Sequence, residues 1–460
     1  MNFTSTRGEA PPIGFREVLL SGLAPDGGLY VPDAWPQLTT SEIASFRGKH
    51  YEDVACAVLR PFTAGEWSDA ELREDIAAAY RDFDDPRIAP LVEIGQRKYL
   101  LELFHGPTLA FKDIALQLLG RMISRALKTS GRRLTIVAAT SGDTGSAAIA
   151  AFGGVAQVEI FVLHPHGRIS DVQRKQMTAS PHGNVHNIAL EGTFDDAQAL
   201  VKALFADREF VGRFGLAAVN SINFARIAAQ AVYYFTAAAA LDEPATFVVP
   251  TGNFGDIFAG EAAMRMGLPI RRLAAATNSN AIVARALHEG VYATGTVQAT
   301  LSPSMDIQVA SNFERAIFEA SGRDGSYVRE AMETFARDRH LALPEKVRKA
   351  LADRYAAVAV DDAATLREMG ETYAKTGKLV DPHTAVALAA ARKLASNDPL
   401  IVLSTAHPAK FPDAVQSATG RIPPLPPRLS GLLSAPEKFD LLKPDLGLVR
   451  DFIAARVPPA

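Results

Sequence analysis

Short apolar runs and longer amphipathic segments alternate along most of this chain. The runs at 99–104 (YLLELF), 134–139 (LTIVAA), 158–163 (VEIFVL), 246–249 (TFVV) and 400–403 (LIVL) have the length and composition of buried strands. After the first of them, Phe111, Ile114, Leu118, Met122 and Ala126 recur at helical spacing. Further helices are expected from Ser146, over 194–205 and up to Met266, with a short alternating strand at 186–190. Strand, loop and helix repeated in this way predict an α/β fold, a mostly parallel sheet with helices on both faces. In such sheets ligands bind beyond the carboxyl ends of the strands.

The two ends of the chain break the pattern. Residues 1–90 read as a helical unit, with helices near 41–60 and 68–83. The Gly- and Pro-dense loop 22–36 (GLAPDGGLYVPDAWP) precedes them, with a short strand at 29–31, and Pro90 marks a boundary. The Pro-rich stretch that begins RIPPLPPRL at Arg421 reads as an extended strap. The most apolar segment, 227–241, contains Gln230, Tyr233, Tyr234 and Thr236 and is shorter than a membrane span, so a buried helix is expected there.

Composition narrows the function. In 460 residues, 48 basic and 51 acidic side chains leave a net charge of −3, which gives no footing for nucleic-acid or polybasic membrane binding. Cys56 is the only cysteine, so no internal disulfide or Cys-rich metal site can form. The N-terminus has no apolar signal core, and a cytoplasmic setting is expected.

Two loops have the make-up of anion sites. Thr140-Ser141-Gly142-Asp143-Thr144-Gly145 and Thr251-Gly252-Asn253-Phe254-Gly255-Asp256 each lie between a strand and a helix. Backbone N–H groups at a helix start attract anions, and glycine lets them approach closely. Plain capping and turn chemistry is the competing reading of both. Neither loop has the Lys-Ser/Thr of a P-loop or the GxGxxG spacing. Lys112, in Gly106-Pro107-Thr108-Leu109-Ala110-Phe111-Lys112-Asp113, falls in the first turn of its helix. The helix dipole there lowers an amine pKa and favours a nucleophile. A solvated lysine beside Asp113 is the competing reading.

Taken together these segments resemble the threonine synthase family of fold-type II pyridoxal-phosphate enzymes. The resemblance rests on STRGE (5–9), GLAPDGGLYVP (22–32), HGPTLAFKD (105–113), TSGDTGSAA (140–148), NSINFARI (220–227), PTGNFGDIFAG (250–260), SPSMDIQVASNFER (302–315) and STAHPAKF (404–411), in the family's order and over most of the chain. It implies two open, mostly parallel sheet domains flanked by helices, plus an N-terminal mainly helical domain at 1–90. It further implies a large cofactor-binding domain at 91–130 and 215–430, a small substrate subdomain at 131–214 and a C-terminal extension at 431–460.

The resemblance implies roles residue by residue. Lys112 matches the lysine that holds pyridoxal 5'-phosphate as a Schiff base, with Phe111 near the ring. Gly252, Asn253, Phe254 and Gly255 match the loop for the cofactor phosphate, and Asp256 begins the helix behind it. Thr405 matches the hydroxyl facing the pyridine nitrogen. Ser141, Gly142, Asp143, Thr144 and Gly145 match the loop that grips the substrate α-carboxylate. Asn223, Arg226 and Lys410 are candidates for binding the substrate phosphate; for Arg226 a structural ion pair is the equal alternative. His105 and His407 either contact ligand or are structural. Ser304 and Asp306 either line the site or cap a turn, and the turn is favoured.

The implied reaction turns O-phospho-L-homoserine and water into L-threonine and phosphate, with Lys112 as anchor and proton carrier. Two rivals remain: a phospho-lyase that releases 2-oxobutyrate from the same substrate, and a non-catalytic cofactor-binding protein. A small-molecule substrate is the only partner implied, with no nucleic acid, membrane or metal, in a monomer or homodimer.

Overall fold

A computed structural model describes residues 1–217, 220–394 and 397–458. Two parallel sheets organise it. The larger runs in the order Tyr355–Ala359, Arg272–Thr277, Thr246–Pro250, Leu400–Ser404, Lys98–Glu102, Leu91–Gly95, with only the last strand antiparallel. The smaller is parallel throughout, in the order Asp440–Leu442, Val185–Leu190, Val158–Pro165, Leu134–Ala139, Leu216–Ala217. It takes one edge strand from near the C-terminus. This is the fold expected of the family.

Side-chain alternation explains why both faces of each sheet are covered. Phe247 and Val249 point into one core, with Ile227, Ala228 and Tyr234 of the helix Phe224–Ala239. Val248 between them points into another, with Ala385 to Ala391 of the helix Pro382–Lys393. In the smaller sheet Ile136 and Val162 share the first core. Val137 and Leu163 pack instead against Leu200, Leu204, Val449 and Ile453. The apolar run that begins at 227 lies in a helix whose residues from Phe224 to Phe235 are all buried. Among the described residues no helix is long and apolar enough to cross a membrane.

The N-terminal region contributes the helices Phe15–Ser21, Thr40–Ala44, Tyr51–Thr63 and Asp69–Tyr80, and a strand pair of Phe3–Ser5 with Tyr30–Pro32. One of its sequence motifs, STRGE, docks on another from far along the chain. Thr6 Oγ1 donates to Glu314 at 2.6 Å, and Arg7 grips the same carboxylate at 3.0 Å and 3.1 Å. Because the larger sheet is parallel, the loops leaving Lys98–Glu102, Thr246–Pro250 and Leu400–Ser404 emerge at one end. Every candidate loop of that sheet therefore gathers there.

Candidate active site

Lys112 is the first residue of the helix Lys112–Ser130. The approach to it is held from both sides. Leu109 sits in left-handed backbone at φ 64°, a costly conformation for a branched residue. Asp113, beside the lysine, does not pair with it but turns back to Thr108, accepting its N–H at 2.8 Å and its hydroxyl at 2.7 Å. A Cβ on Gly106 would collide with that carboxylate's side chain, so the backbone passes where only glycine fits. Just beyond the strand Leu400–Ser404, Thr405 O accepts the Phe111 N–H at 2.8 Å and His407 N–H donates to Leu109 O at 3.0 Å. Residues 405–407 and 109–111 thus lie side by side. Thr405 is buried, and among the described residues its hydroxyl has no protein partner.

The lysine's counter-ion comes from the smaller sheet. Asp143 Oδ2 is 3.4 Å from Lys112 Nζ, and its Oδ1 is 2.9 Å from Lys410 Nζ. Gln173 Nε2 donates to Oδ1 at 2.8 Å and Ser304 Oγ to Oδ2 at 3.2 Å. Burial lowers the Lys112 pKa; Asp143 opposes this, while Lys410 and Arg226 add to it. Burial alone would raise the Asp143 pKa, but Lys410 and Lys112 outweigh it and hold the carboxyl well below its usual range. The result is an ionised carboxylate facing an amine whose pKa lies below that of a free lysine. The Phe111 ring centre lies 4.8 Å from the same nitrogen.

The two glycine-containing loops differ in what they leave open. In the first, Thr140 Oγ1 takes the N–H groups of Gly142 and Gly145, both at 2.9 Å. Those of Ser141, Asp143 and Thr144 have no protein acceptor among the described residues. In the second, the N–H groups from Gly252 to Ile257 are all open in that sense. Phe254 turns the chain into the helix Gly255–Arg265 at φ 64°. A Cβ on Gly252 would stand 2.7 Å from the Ser304 carbonyl oxygen. The loop is backed by Asn312, whose backbone N–H and side-chain amide both donate to Asn253 O, at 3.0 Å and 3.1 Å. Arg315, fully buried, binds the Asn312 side chain and the carbonyls of Tyr30 and Ile222.

Behind that loop Asp256 is buried against two phenols. Tyr233 donates to Oδ1 at 2.5 Å and Tyr234 at 3.1 Å, while Oδ2 has no hydrogen-bond partner among the described residues. Burial pushes the Asp256 pKa up to about 7 despite those bonds.

The softer sequence candidates separate. Arg226 is 3% exposed, makes no ion pair among the described residues, and its Nε has no hydrogen-bond partner. Burial lowers its pKa to about 10. The structural ion pair read as the alternative for it is not found among the described residues. Asn223 has both ends of its amide engaged: Oδ1 caps the helix at Ala225 N, 3.0 Å, and Nδ2 donates to Leu19 O at 2.9 Å. Lys410 is fully buried and its three donors are committed, to Thr108 O at 2.7 Å, Gln176 Oε1 at 3.1 Å and Asp143. Asn223 and Lys410 therefore shape the surroundings of Arg226 and Asp143 rather than offering free groups. His105 pairs with Glu102 at 3.1 Å, and His407 accepts the Ala409 N–H at 3.1 Å. Asp306 closes a turn by accepting Thr300 N–H at 2.9 Å and Asn278 Nδ2 at 2.7 Å. Ser304, read as part of the same turn, also touches Asp143.

Sequence reasoning missed Gln173, Gln176, Asp381 and His383. The glutamines carry no local signal. Asp381-Pro382 reads as a helix start, which it is, but nothing nearby in the chain connects it to Ser304.

Comparison with known proteins places these features in a family. A family model described as "Threonine synthase N terminus" matches residues 2–80, "Pyridoxal-phosphate dependent enzyme" matches 87–352, and "Threonine synthase, C-terminal" matches 384–453. The chain is 47% identical to a threonine synthase of Pseudomonas aeruginosa over 99% of its own length and 98% of the relative's. A crystal structure of pyridoxal-phosphate-bound threonine synthase from Brucella melitensis superposes with a TM-score of 0.96 at 50% identity, covering 98% of each chain. The threonine synthase of yeast gives 0.93 at 37% identity, again covering 98% of each.

Proposed function

This chain is a member of the threonine synthase family of pyridoxal-phosphate-dependent enzymes, and from that membership we propose that it converts O-phospho-L-homoserine and water to L-threonine and phosphate with Lys112 as the working amine. One observation carries the reading. A buried lysine amine, its pKa lowered by burial, is linked through Asp143 and Ser304 to a loop of open N–H groups, with a buried arginine nearby that has no acid partner among the described residues.

The residues present fit the cofactor. The open N–H groups from Gly252 to Ile257, at the start of a helix, suit a phosphate, and Gly252 has no room for a Cβ. Lys112, Phe111, Gly252, Asn253, Phe254, Gly255 and Thr405 would hold it. Pyridoxal phosphate supplies an aldehyde for an amine and a ring that withdraws electrons from the carbon bonded to that amine. Thr405 would offer the ring nitrogen a neutral hydroxyl and no charge.

The chain's own residues then divide the work. The first loop, Ser141, Gly142, Asp143, Thr144 and Gly145, would bind the substrate α-carboxylate through the open N–H groups of Ser141, Asp143 and Thr144. Arg226 would take the phosphate, since an uncompensated buried guanidinium is stabilised by an anion. Lys112 Nζ removes the Cα proton and carries protons between Cα, Cβ and Cγ as phosphate leaves and water adds at Cβ. Asp143, kept ionised, steadies the lysine between transfers. We assign 91–130 with 215–430 to the cofactor, except the strand Leu216–Ala217, which belongs to the smaller sheet, and 131–214 to the substrate loop, and infer a cytoplasmic monomer or homodimer.

The test is product analysis. The purified, cofactor-loaded protein given O-phospho-L-homoserine should release threonine and phosphate in equal amounts, and Lys112→Ala should lose both turnover and the visible absorbance of the bound cofactor. Release of 2-oxobutyrate in place of threonine would move the chain to the phospho-lyase reading. Normal turnover by Lys112→Ala would remove the lysine from its role.

A further inference from the structure

Asp381 is entirely buried at the start of the helix Pro382–Lys393, and its carboxylate takes more than a cap requires. Oδ1 accepts the Thr384 N–H at 3.1 Å and the Thr384 hydroxyl. Oδ2 accepts the His383 N–H at 2.9 Å and His383 Nδ1 at 2.7 Å. A carboxylate can only accept, so the imidazole proton sits on Nδ1 and the lone pair on Nε2. That lone pair meets the backbone N–H of Ser304 at 3.3 Å. His383 is 4% exposed, its ring against Phe411 at 5.0 Å, next to Lys410.

Ser304 is where this arrangement reaches the site. Its hydroxyl donates to the Asp143 oxygen that faces Lys112, and its carbonyl packs where a Cβ on Gly252 would stand. The short 3-10 turn Pro303–Met305 thus joins the counter-ion of the amine to the phosphate loop. A second branch leaves the same cap: Thr384 Oγ1 is 3.0 Å from Ser404 Oγ, one residue before Thr405.

We propose that His383, held in one tautomer by Asp381, is a positioning residue that sets Ser304 and through it aligns Asp143 and Gly252 for the reaction at Lys112. The inference rests on the reading of Lys112 given above, which Lys112→Ala tests separately. A buried histidine that merely satisfies a helix start is the structural alternative, and the two differ in which nitrogen matters. Asparagine can reproduce the Nδ1–H bond to Asp381 but cannot reach Ser304. Glutamine can reproduce an acceptor at the Nε2 position.

The experiment compares His383→Asn, His383→Gln and wild type as full-length protein. It reads the dissociation constant of pyridoxal phosphate, kcat, KM and the melting temperature. We expect His383→Asn to weaken cofactor binding about tenfold and lower kcat by ten- to a hundredfold, about the effect of a small misplacement of reacting groups. KM should change little, and His383→Gln should lie within about threefold of wild type, a difference smaller than the loss of one hydrogen bond produces. Equal damage in both variants, or better function in the asparagine one, would reduce His383 to a helix support. Wild-type values in both would do the same. Should His383→Asn fail to fold, Ser304→Ala reads the next link, and a folded Ser304→Ala enzyme with unchanged kcat and cofactor affinity would overturn the proposal.

Discussion

Asp143 stands 3.4 Å from Lys112 across the gap between the two sheets, so the amine and its counter-ion belong to different halves of the molecule. The carboxylate also holds Lys410 at 2.9 Å. Replacing it by asparagine leaves Lys112 and Lys410 buried without their counter-ion. Removing one partner of a buried pair costs about 3–5 kcal/mol. Asp143→Asn is expected to melt several degrees lower and to lose on the order of a hundredfold in kcat. Calorimetry and steady-state kinetics check both, and an unchanged melting temperature would contradict the pairing.

Arg226 gives the opposite sign. Its guanidinium is buried with no acid partner among the described residues, so removing the charge relieves the empty protein. Arg226→Gln is expected to be at least as stable as wild type without substrate, yet to raise KM for the phosphorylated substrate by about a hundredfold, the worth of a charged hydrogen-bonded pair. Arg226→Lys should restore little, because a point charge does not match the fork of a guanidinium. A destabilised Arg226→Gln protein with normal KM would count against an anion site.

Gly252→Ala tests the cradle. The added methyl would meet the Ser304 carbonyl at 2.7 Å, and a backbone oxygen cannot swing aside. Cofactor affinity should fall by an order of magnitude or more, with a smaller change in the melting temperature of the apoprotein. Titration of apoprotein with pyridoxal phosphate measures it, and full affinity would show the loop to be slack.

Asp256 sets a pH dependence. Its carboxyl is raised from an ordinary 3.8 to about 7. Between those values the unfolded chain has released the proton and the folded one keeps it. The group's contribution is therefore fully present below about pH 4 and is lost as pH rises to about 7. Asp256→Asn keeps an acceptor for Tyr233 and Tyr234 but cannot ionise. Its stability relative to wild type should grow from pH 5 to pH 8, by at most a few kcal/mol. Chemical denaturation at several pH values measures the difference, and parallel curves would refute it.

Much of this architecture was legible along the chain because the apolar strands announce themselves. Leu134–Ala139 spans the run LTIVAA, and Thr246–Pro250 and Leu400–Ser404 fall on TFVV and LIVL. Arg272–Thr277 and Tyr355–Ala359 were not, since RLAAAT and YAAVA are mostly alanine, with Thr277 and Val358 their single β-branched side chains. Small alanines suit a buried strand closely packed between helices, and only the finished sheet displays that. The lysine and both loops could be found by position between strand and helix. Roles that depend on a distant partner could not. Arg226 and Asn223 sit three residues apart in one motif, yet among the described residues the first pairs with no acid and the second is engaged at both ends of its amide. Ser304 reads as a turn, which it forms, and its contact with Asp143 exists only once both sheets are in place.

The edge strand Asp440–Leu442 and the helix Leu446–Ala454 complete the smaller sheet, pairing with Val185–Leu190 and burying Val449 and Ile453. On the ribosome, everything from residue 134 to 217 emerges long before these segments do. One flank of that nascent sheet, with the apolar surface over Phe161 and Leu163, must wait uncovered until about 220 further residues have been made. Such an interval is when chaperones act and when unpaired strands of neighbouring chains find one another. Truncating the tail would therefore be felt first as lost yield of soluble enzyme.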